Sequence, residues 1–521
     1  MKLAVQSLDW ALTHIERYGD TNIFPVPFEY RAIREQWDSE IRRYLAAKDI
    51  EHWVAQPFRR CLTSKHRFGF RIATQLDPLD CIIFTAIIFE LGADIEAKRI
   101  DKSKEVVISS RFAPKADGTL YDDDFRYQRF QDVSARRAKD PSTTHVVVAD
   151  IADFFLKIYT HPLENALAEC TTKKLHLTAL KKILSQWNSS VSYGIPVGPL
   201  AAFMLAELVL NDVDRGLDSV GAIHCRWYDD FRIFCRSERE AYSQLTLLAN
   251  SLFESQGLTL QATKTEIISS VGFLEQLKPK WLLELTNLSK NFNQFLKEIG
   301  IENKYEEIDI ESLAPEAREQ LENLNLADIL RGQVLSTEPL DESIVRFALR
   351  RLAQIDQLVD PELLISHSER LYPVFVDIVK YFQRLRGLSA DARSVIGKAL
   401  LEMLQTTSVG DLPHVRLWIL SLFASDTSWN NSQTLVPLYD RLSDQFAQRE
   451  LILAMGRSHQ LNWFKTRRRD INEFSPWRKR AFLAAASCLP VDEYNHWCGS
   501  IMGSLTFLDK VVVSWAKRHR F

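Results

Sequence analysis

The first half of the chain combines helical and strand-like spacing of its hydrophobic residues. Residues 1–100 show mostly helical spacing, interrupted by a proline-containing loop at 24–27, and include an apolar helix over about 80–91. The β-branched run HVVVAD at 145–150 ends in an acid and predicts a buried strand that leads into a helix. The aromatic run HCRWYDDFRIFC at 224–235 predicts a β-hairpin whose tip carries two aspartates.

The second half of the chain lacks strand signals from about residue 277 onward. Residues 289–340 are polar, acidic and helical, which is typical of a connector. Beyond them, apolar segments with helical spacing recur at roughly the 20 to 50 residue pitch of stacked helical pairs. The pattern predicts an α-solenoid similar to HEAT repeats, with an irregular helical bundle as the alternative. The apolar segments are 345–352, 374–385, 395–404, 415–423, 451–455, 481–486 and 511–515.

Length and composition indicate a globular protein with more than one domain. The chain has 521 residues, which is more than a single hydrophobic core usually supports. Of these residues, 46% are hydrophobic. We expect an α+β domain over residues 1–278, a helical connector over 279–340 and an α-helical repeat domain over 341–521.

Charge, cysteine content and hydropathy narrow the class of protein further. The 65 Lys and Arg residues nearly balance the 68 Asp and Glu residues, so nucleic-acid binding would depend on local basic patches. The 7 cysteines are dispersed and never spaced as CxxC, which argues against a disulfide framework and a structural zinc site. No apolar run reaches the roughly 20 residues of a membrane span, and the first residues lack the apolar core of a signal peptide. We therefore expect a cytoplasmic protein with no membrane segment.

Three aspartates, Asp150, Asp229 and Asp230, are the side chains whose chemistry stands out. Each lies at the end of a β-rich segment, where a strand can direct a carboxylate into a shared cleft. Converging carboxylates repel one another and take up protons unless a cation balances them. Mg²⁺ prefers such oxygen ligands, and two ions about 3.5–4 Å apart can hold both ends of an in-line phosphoryl transfer. For the Asp229-Asp230 pair taken alone, a solvated turn is the alternative.

Four motifs follow one another along the first half of the chain. They are DIADFF at 150–155, YGIPVGPL at 193–200, WYDDF at 227–231 and GLTLQATKT at 257–265. In this order they resemble the palm motifs of reverse transcriptases, and residues 71–72 and 78–80 resemble the fingers of that family. The resemblance implies an α+β fold with fingers and palm, followed here by an all-α, HEAT-like C-terminal domain. It also implies an RNA-directed DNA polymerase family nucleotidyltransferase that uses deoxynucleoside triphosphates.

The resemblance to reverse transcriptases implies a role for each acid. Asp150 and Asp229 would be the metal-binding pair for two Mg²⁺ ions, with Mn²⁺ as an alternative, and Ile151 would lend a backbone carbonyl. Asp230 would be the second acid of the hairpin. Phe155 occupies the sugar-gate position, where a bulky ring excludes a ribose 2′-hydroxyl by a repulsive contact. The alternative for Phe155 is packing in the core.

Further positions match residues that contact the nucleotide in that family. Arg71, and with less support Lys65 or Arg67, would hold the triphosphate, because guanidinium groups neutralise charge during phosphoryl transfer. Lys264 would neutralise or protonate pyrophosphate. Val197 lies where a glutamine usually contacts the incoming nucleotide. The alternative for each basic residue is an ordinary solvated surface charge.

Two departures from the common pattern point to one branch of the family. Val197 replaces the usual glutamine and Trp227 replaces a tyrosine, and both weaken the case for templated copying. The GIPVGP motif and residues 153–167 resemble the abortive-infection branch, the AbiK type, which also carries a C-terminal helical-repeat domain. That resemblance implies phage defence by template-independent, protein-primed synthesis of single-stranded DNA that stays covalently attached, in a homo-oligomer such as a trimer or hexamer. The priming tyrosine is not identified; the N-terminal candidates are Tyr18, Tyr30 and Tyr44.

A basic and aromatic cluster in the second half predicts a path for the DNA product. Single strands bind in cationic grooves with aromatic platforms. The residues concerned are Arg467, Arg468 and Arg478, with Trp463, Phe464 and Trp477 beside them. A solvated basic helix face with buried tryptophans is the alternative. For the whole chain, the rival hypotheses are a conventional RNA-templated reverse transcriptase and an inactive polymerase fold that serves as an interaction scaffold or phage sensor.

Overall fold

The computed structural model describes residues 1–66, 69–188, 191–277, 324–429 and 432–521, with the single positions 291, 292, 294 and 319. The chain divides into two units, one formed by Met1–Arg60 with Ile72–Lys278 and the other by Cys61–Arg71 with Pro279–Phe521. Arg67 and most of the predicted connector lie outside the described residues. All 7 cysteines carry free thiols.

An antiparallel sheet forms the centre of the first unit. Strand β3 lies between β5 and β6, and β4 pairs with the other side of β5, so the order is β4-β5-β3-β6. A separate hairpin consists of β1 and β2. The strands are β1 Arg59–His66, β2 Gly69–Gln75, β3 His145–Asp150, β4 Ile223–Trp227, β5 Asp230–Cys235 and β6 Glu266–Ser269. The strand and the hairpin predicted at 145–150 and 224–235 are thus confirmed.

Helices surround this sheet in the first unit. They are α1 Val5–Tyr18, α2 Glu29–Glu35, α3 Arg42–Ala47, α4 Pro78–Lys98, α5 Tyr127–Ala138, α6 Phe154–Lys157, α7 Thr160–Cys170, α8 Lys174–Trp187, α9 Ala202–Val209, α10 Asn211–Ser219, α11 Glu238–Ser251 and α12 Ser270–Gln276. Helix α4 begins with Asp77, whose side chain accepts the N–H of Leu79, and with Pro78 in its first turn. It extends the apolar helix predicted at 80–91 in both directions.

Both faces of the sheet are buried. On one face, Val146 of β3 and Phe234 of β5 pack with Phe130 of α5 in an apolar cluster. On the opposite face, Val147 and Ile233 are also inaccessible to solvent. A strand covered on both sides needs apolar residues throughout, which explains why HVVVA shows no polar alternation.

In the described part of the second unit the regular elements are helices, apart from the strand residues that β1 and β2 contribute. Its helices are α13 Leu326–Leu335, α14 Glu342–Gln354, α15 Pro361–Ser366, α16 Ser368–Leu371, α17 Phe375–Arg384, α18 Ala390–Thr406, α19 Pro413–Ser425, α20 Ser432–Arg441, α21 Gln445–Arg457, α22 Leu461–Arg467, α23 Pro476–Ala485, α24 Val491–Ile501 and α25 Phe507–Arg518. Each predicted apolar segment overlaps one of these helices.

Alternate helices of the second unit form a continuous row. Helix α14 packs against α17, and the row continues through α19, α21 and α23 to α25, each helix contacting the next. Each inner helix of the row therefore contacts a neighbour on either side, and α14 and α25 form its ends. No helix in the described ranges has both the length and the apolar composition needed to cross a membrane.

Gly118 provides a test of how the first unit packs. Its φ is +85°, and a Cβ atom added there would lie 2.8 Å from the Cα of His14 in α1. Gly118→Ala should therefore destabilise the protein by at least about 1–2 kcal/mol from the left-handed backbone alone. Differential scanning calorimetry should show a lower melting temperature for the transition of this unit.

The matched control is Gly216→Ala in α10. Gly216 has no atom within 4 Å of an added Cβ, and alanine favours a helix interior over glycine. This control should leave the melting temperature unchanged or raise it slightly. An equal effect of the two substitutions would contradict the packing of Gly118 on α1.

Candidate active site

Asp150 and Asp230 are direct neighbours across two paired strands. Asp150 is the last residue of β3 and Asp230 is the first of β5, and their Cα atoms are register partners. The N–H of Ile151 donates to the carbonyl of Asp229 at 3.2 Å. This places the two aspartates in a non-hydrogen-bonded pair, in which Cα atoms are only about 4.5 Å apart and side chains approach most closely. Asp229 precedes Asp230 in the hairpin turn, so the three acids collect at one end of the sheet.

The three carboxylates of the cluster repel one another. Burial raises the pKa of Asp230 to about 7, and the charges of Asp229 and Asp150 and a hydrogen bond to Asp150 act in the same direction. Lys264 donates a hydrogen bond to Oδ2 of Asp150 at 2.5 Å. Burial works against the Lys264 ammonium, but the bond to Asp150 and the carboxylate charges raise its pKa overall. Lys264 thus brings a positive charge to Asp150, and a divalent cation bound among the three carboxylates would further reduce their mutual repulsion.

The donor set suits a hard divalent cation that also binds substrate. No cluster of three or more His, Cys, Asp or Glu side chains in the described part of the chain is arranged to hold a metal ion. Asp230 is nevertheless hydrogen-bonded to Asp150, and the charges of Asp229 and Asp150 both raise the pKa of Asp230, so the three carboxylates lie near one another. Mg²⁺ commonly binds one or two carboxylates and completes its shell with water and substrate phosphates. The residues fit an ion of that kind.

The turn that carries Asp229 is strained. Tyr228 has a φ of +52°, a left-handed conformation that bulky residues rarely adopt. Its N–H donates to Oγ of Ser109 at 2.9 Å, and its hydroxyl is 2.7 Å from Oγ of Ser110. Its ring packs on Phe203 with centroids 4.8 Å apart. Such strain costs roughly 1–3 kcal/mol and persists only where the surroundings enforce it.

A buried ionic network enforces this turn. Arg226 donates two hydrogen bonds to Asp214, with Nε–Oδ1 and Nη2–Oδ2 distances of 2.9 and 2.5 Å. Its Nη1 donates to the carbonyl of Tyr228 at 2.9 Å and lies 3.0 Å from Oε2 of Glu207. Oε1 of Glu207 accepts the hydroxyl of Ser109 at 2.5 Å, and Ser109 in turn binds Tyr228. Arg226, Asp214 and Glu207 are at most 1% exposed. The network therefore binds the N–H of Tyr228 through Ser109 and its carbonyl oxygen through Arg226.

The sequence analysis missed this network. Glu207 is the single charge inside the apolar helix α9, and Arg226 interrupts an aromatic strand. A charged residue in an otherwise buried element signals a buried partner, since an unpaired charge there is costly. The spacing along the chain does not reveal that Glu207, Asp214 and Arg226 meet.

The predicted sugar gate lies beside the turn. Phe155 is half-buried, whereas Phe154 is 3% exposed, so the two rings have different surroundings. The ring of Phe155 meets that of Phe203 edge-on with centroids 5.1 Å apart, and Phe203 contacts Tyr228. The N–H of Ile195 donates to the carbonyl of Phe155 at 3.0 Å. Phe155 thus contacts the GIPVGP turn through Ile195 and is linked to the acidic hairpin through Phe203.

The GIPVGP turn is fitted closely against strand β2. The carbonyl of Val197 accepts the N–H of Thr74 at 2.7 Å. Gly198 has a φ of +150°, and a Cβ atom there would lie 2.6 Å from the carbonyl oxygen of Thr74. Only glycine permits this approach, which accounts for the second glycine of the motif.

The predicted triphosphate ligands lie on the β1–β2 hairpin. Lys65 is exposed on β1, and Nε of Arg71 donates to Oγ1 of Thr63 at 3.4 Å. Residues Cys61–Arg71 belong to the second unit, whereas the three aspartates belong to the first. The roles of Lys65 and Arg71 stay predictions.

The predicted DNA-binding arginines all have protein partners. Arg467 pairs with Asp440 and Asp470, Arg468 pairs with Glu493 at 2.8 Å, and Arg478 donates to Gln448 at 2.6 Å. Of the aromatic residues beside them, Phe464 and Trp477 are 0% and 2% exposed and offer no free face for stacking. Trp463 is half-buried. A role of the three arginines in DNA binding stays a prediction.

A family comparison matches the region of the chain that carries the three acids. Residues 101–290 match the family model described as reverse transcriptase (RNA-dependent DNA polymerase). A search of curated proteins finds no match. Among solved structures, the chain is similar to telomerase from Candida albicans in complex with a TWJ fragment of telomeric RNA, at 9% identity and a TM-score of 0.29, over 76% of this chain and 71% of that chain. Residues 101–290, which include the three aspartates and Lys264, form a reverse transcriptase domain.

Proposed function

We propose that this chain is a Mg²⁺-dependent DNA polymerase of the reverse transcriptase family that acts in phage abortive infection. The pairing of Asp150 with Asp230, beside Asp229 and Lys264, is the observation that carries the polymerase part of this proposal. Buried acids kept together at the cost of mutual repulsion are expected where a cation and a phosphate chain must be bound. The defence role rests on the resemblance of residues 153–167 and 194–199 to the AbiK type.

Different residues of the site have separate proposed roles in nucleotidyl transfer. Asp150 and Asp229, with the carbonyl of Ile151, would hold two divalent ions. Mg²⁺ bound there supplies Lewis acidity that stabilises negative charge on the attacking and leaving oxygens. Lys264, which donates to Asp150 in this structure, offers a positive charge and a proton for pyrophosphate. Lys65 and Arg71 are the proposed ligands of the triphosphate.

The choice of deoxynucleotides is assigned to Phe155. Its half-buried ring is backed by Phe203 and held at the backbone by Ile195. A ring fixed in this way can reject a ribose 2′-hydroxyl by steric repulsion, because it cannot move aside.

We assign synthesis without a template to the same site. Val197 has no side-chain hydrogen-bonding group for the nucleotide, and its carbonyl is used by Thr74. A protein hydroxyl would replace the primer terminus as nucleophile, so the single-stranded product would stay covalently attached. Of the N-terminal tyrosines, Tyr30 is buried, and burial raises the pKa of its phenol, whereas Tyr18 is 38% exposed. We also propose that the protein is cytoplasmic and that it forms a homo-oligomer.

The second unit completes the proposed architecture. We assign it as a HEAT-like repeat domain, supported by the row from α14 to α25 in which each helix contacts the next. Stacked helical units of this kind present extended surfaces for binding. Arg467, Arg468 and Arg478 are the proposed contacts to DNA there.

Asp230→Asn tests the charge repulsion at the site. The pKa of Asp230 is about 7 in the folded protein and about 3.9 in an unfolded chain. Between these values the folded state binds more protons, so stability falls as pH rises. Without divalent ions, the melting temperature of the variant should exceed that of wild type by a margin that grows from about pH 4 to about pH 7.

The control for this measurement is Asp132→Asn on the exposed side of α5. Its melting temperature should differ from that of wild type by a constant amount over the same range. A constant difference for Asp230→Asn as well would contradict the assigned repulsion.

Asp229→Asn tests the polymerase assignment. Purified protein is incubated with Mg²⁺ and labelled deoxynucleotides, with and without a template-primer. Wild type should acquire a protein-linked, nuclease-sensitive label without template. The variant should lose at least about 10²–10³-fold of this activity, the size of effect seen when one group that stabilises transition-state charge is removed. Asp132→Asn should label as wild type does.

The outcomes separate the rival functions. Labelling that requires an added template and primer would favour a conventional RNA-templated reverse transcriptase. Labelling by Asp229→Asn at the wild-type rate would refute the site. No labelling by wild type under any template condition would favour an inactive fold that serves as a scaffold or sensor.

Phe155→Ala tests the sugar gate. Removing the ring should raise incorporation of ribonucleotides relative to deoxynucleotides by about tenfold or more, because the repulsive contact disappears. Competition assays with both nucleotides measure this ratio. Phe253→Ala, at a ring that is 67% exposed, serves as control and should leave the ratio unchanged. An unchanged ratio in Phe155→Ala would show that the ring only packs.

A further inference from the structure

Helices α14 and α17 of the second unit share a small pocket with a basic lining. The pocket has a volume of about 210 Å³, and Arg350, Lys380 and Arg384 line it together with Asp377 and Tyr381. Arg350 and Arg384 are exposed at its edge, and Lys380 is half-buried. Three positive side chains therefore converge on one cavity.

Lys380 is held in place by an aromatic ring. Its Nζ lies 4.3 Å from the centroid of the Trp418 ring in α19, a cation–π contact. Burial lowers the pKa of Lys380; Asp377 opposes this, and the charges of Arg384 and Arg350 add to it. No carboxylate in the described ranges lies within ion-pair distance of Lys380. A partly desolvated ammonium beside two guanidinium groups is costly unless an anion joins them.

The carboxylate and the phenol of the pocket do not supply that anion. Oδ2 of Asp377 accepts Nε of Arg346 at 3.0 Å, so its charge is already shared with a fourth basic residue. The Tyr381 hydroxyl donates to the carbonyl of Gln357 at 2.6 Å and accepts the N–H of Val359 at 2.8 Å. Arg350 and Arg384 form no ion pair with any described residue. The pocket therefore keeps a net positive charge.

We propose that this pocket binds a phosphate group. Guanidinium forks match the oxygens of phosphate, and a lysine adds a point charge. The volume is below the roughly 300–1,000 Å³ of sites that enclose drug-sized ligands, so the pocket suits a phosphate ion or one phosphodiester rather than a whole nucleotide. The assignment does not depend on the proposed polymerase activity, because it rests only on residues of the second unit.

The first test measures binding of inorganic phosphate to the full-length protein. Phosphate should raise the melting temperature of wild type above that in chloride of equal ionic strength, because a ligand of the folded state stabilises it. Lys380→Met and Arg384→Gln should each weaken phosphate binding about tenfold, as loss of a charge-assisted hydrogen bond does. Lys398→Met, at an exposed lysine of α18 outside the pocket, is the matched control and should bind phosphate as wild type does.

Neither Lys380→Met nor Arg384→Gln should disrupt folding, so a loss of phosphate binding in these variants would not be caused by unfolding. Lys380→Met removes a half-buried charge and should fold at least as well as wild type, and Arg384→Gln changes an exposed residue. Phosphate binding that is absent in wild type, or that is equal in wild type and both variants, would overturn the proposal.

The second test identifies the source of the phosphate. Fluorescence anisotropy measures binding of a short single-stranded DNA over a series of salt concentrations. If the ligand is a phosphodiester, Lys380→Met weakens binding and lowers the slope of log Kd against log salt by about 0.7 per lost phosphate contact. If DNA binding and its slope are unchanged while phosphate binding is lost, the site takes the free ion.

Discussion

The candidate active site depends on the buried ion pairs and hydrogen bonds that the guanidinium of Arg226 forms. This guanidinium joins Asp214, Glu207 and the carbonyl of Tyr228 in a region without solvent. A buried charge that loses its partners costs several kcal/mol, on the order of 3–5 for one broken pair, so the three groups keep one geometry. That geometry holds Tyr228 in a left-handed conformation. Asp229 and Asp230, which directly follow Tyr228, are therefore positioned by residues outside the acidic cluster.

The two units show the same electrostatic principle with opposite signs. In the first, Asp150, Asp229 and Asp230 lie together, and Lys264 donates a hydrogen bond to Asp150. In the second, Lys380 and two arginines surround a cavity whose carboxylate is already shared with Arg346. Folding gains nothing from such imbalances, because like charges repel and desolvation adds to the cost. In our two proposals, a bound ligand of the opposite charge offsets this cost in each unit.

Much of the fold and of the acidic site could be predicted from the sequence. The strand at 145–150 and the hairpin at 224–235 follow local patterns of β-branched and aromatic residues, and both occur at those positions. The register that pairs Asp150 with Asp230 could not be predicted in this way, because β3 is buried on both faces and its apolar run carries no alternation that marks one register. In the second half, apolar spacing marked α14, α17, α18, α19, α21, α23 and α25, but it did not mark α13, α15, α16, α20, α22 or α24.

Other features depend on contacts between distant segments. The sequence around Arg226 does not indicate its partners, because Glu207 lies on α9 and Asp214 lies on α10. The basic run near Arg467 indicated a free cationic surface, but its charges pair with Asp440, Asp470 and Glu493. Conversely, Arg350, Lys380 and Arg384 lie in no basic run, and only the packing of α14 on α17 brings them together.

The position of a bound divalent ion is the most direct measure of the central claim, that the three aspartates are kept together to bind a cation with a nucleotide. Crystals of the protein with Mn²⁺ and a deoxynucleoside triphosphate, measured at the manganese absorption edge, locate the ion by anomalous scattering. We predict a peak in contact with the carboxylates of Asp150 and Asp229, with Lys264 released from Asp150. A structure with nucleotide and Mn²⁺ bound elsewhere, and with the Lys264–Asp150 pair intact, would contradict the account.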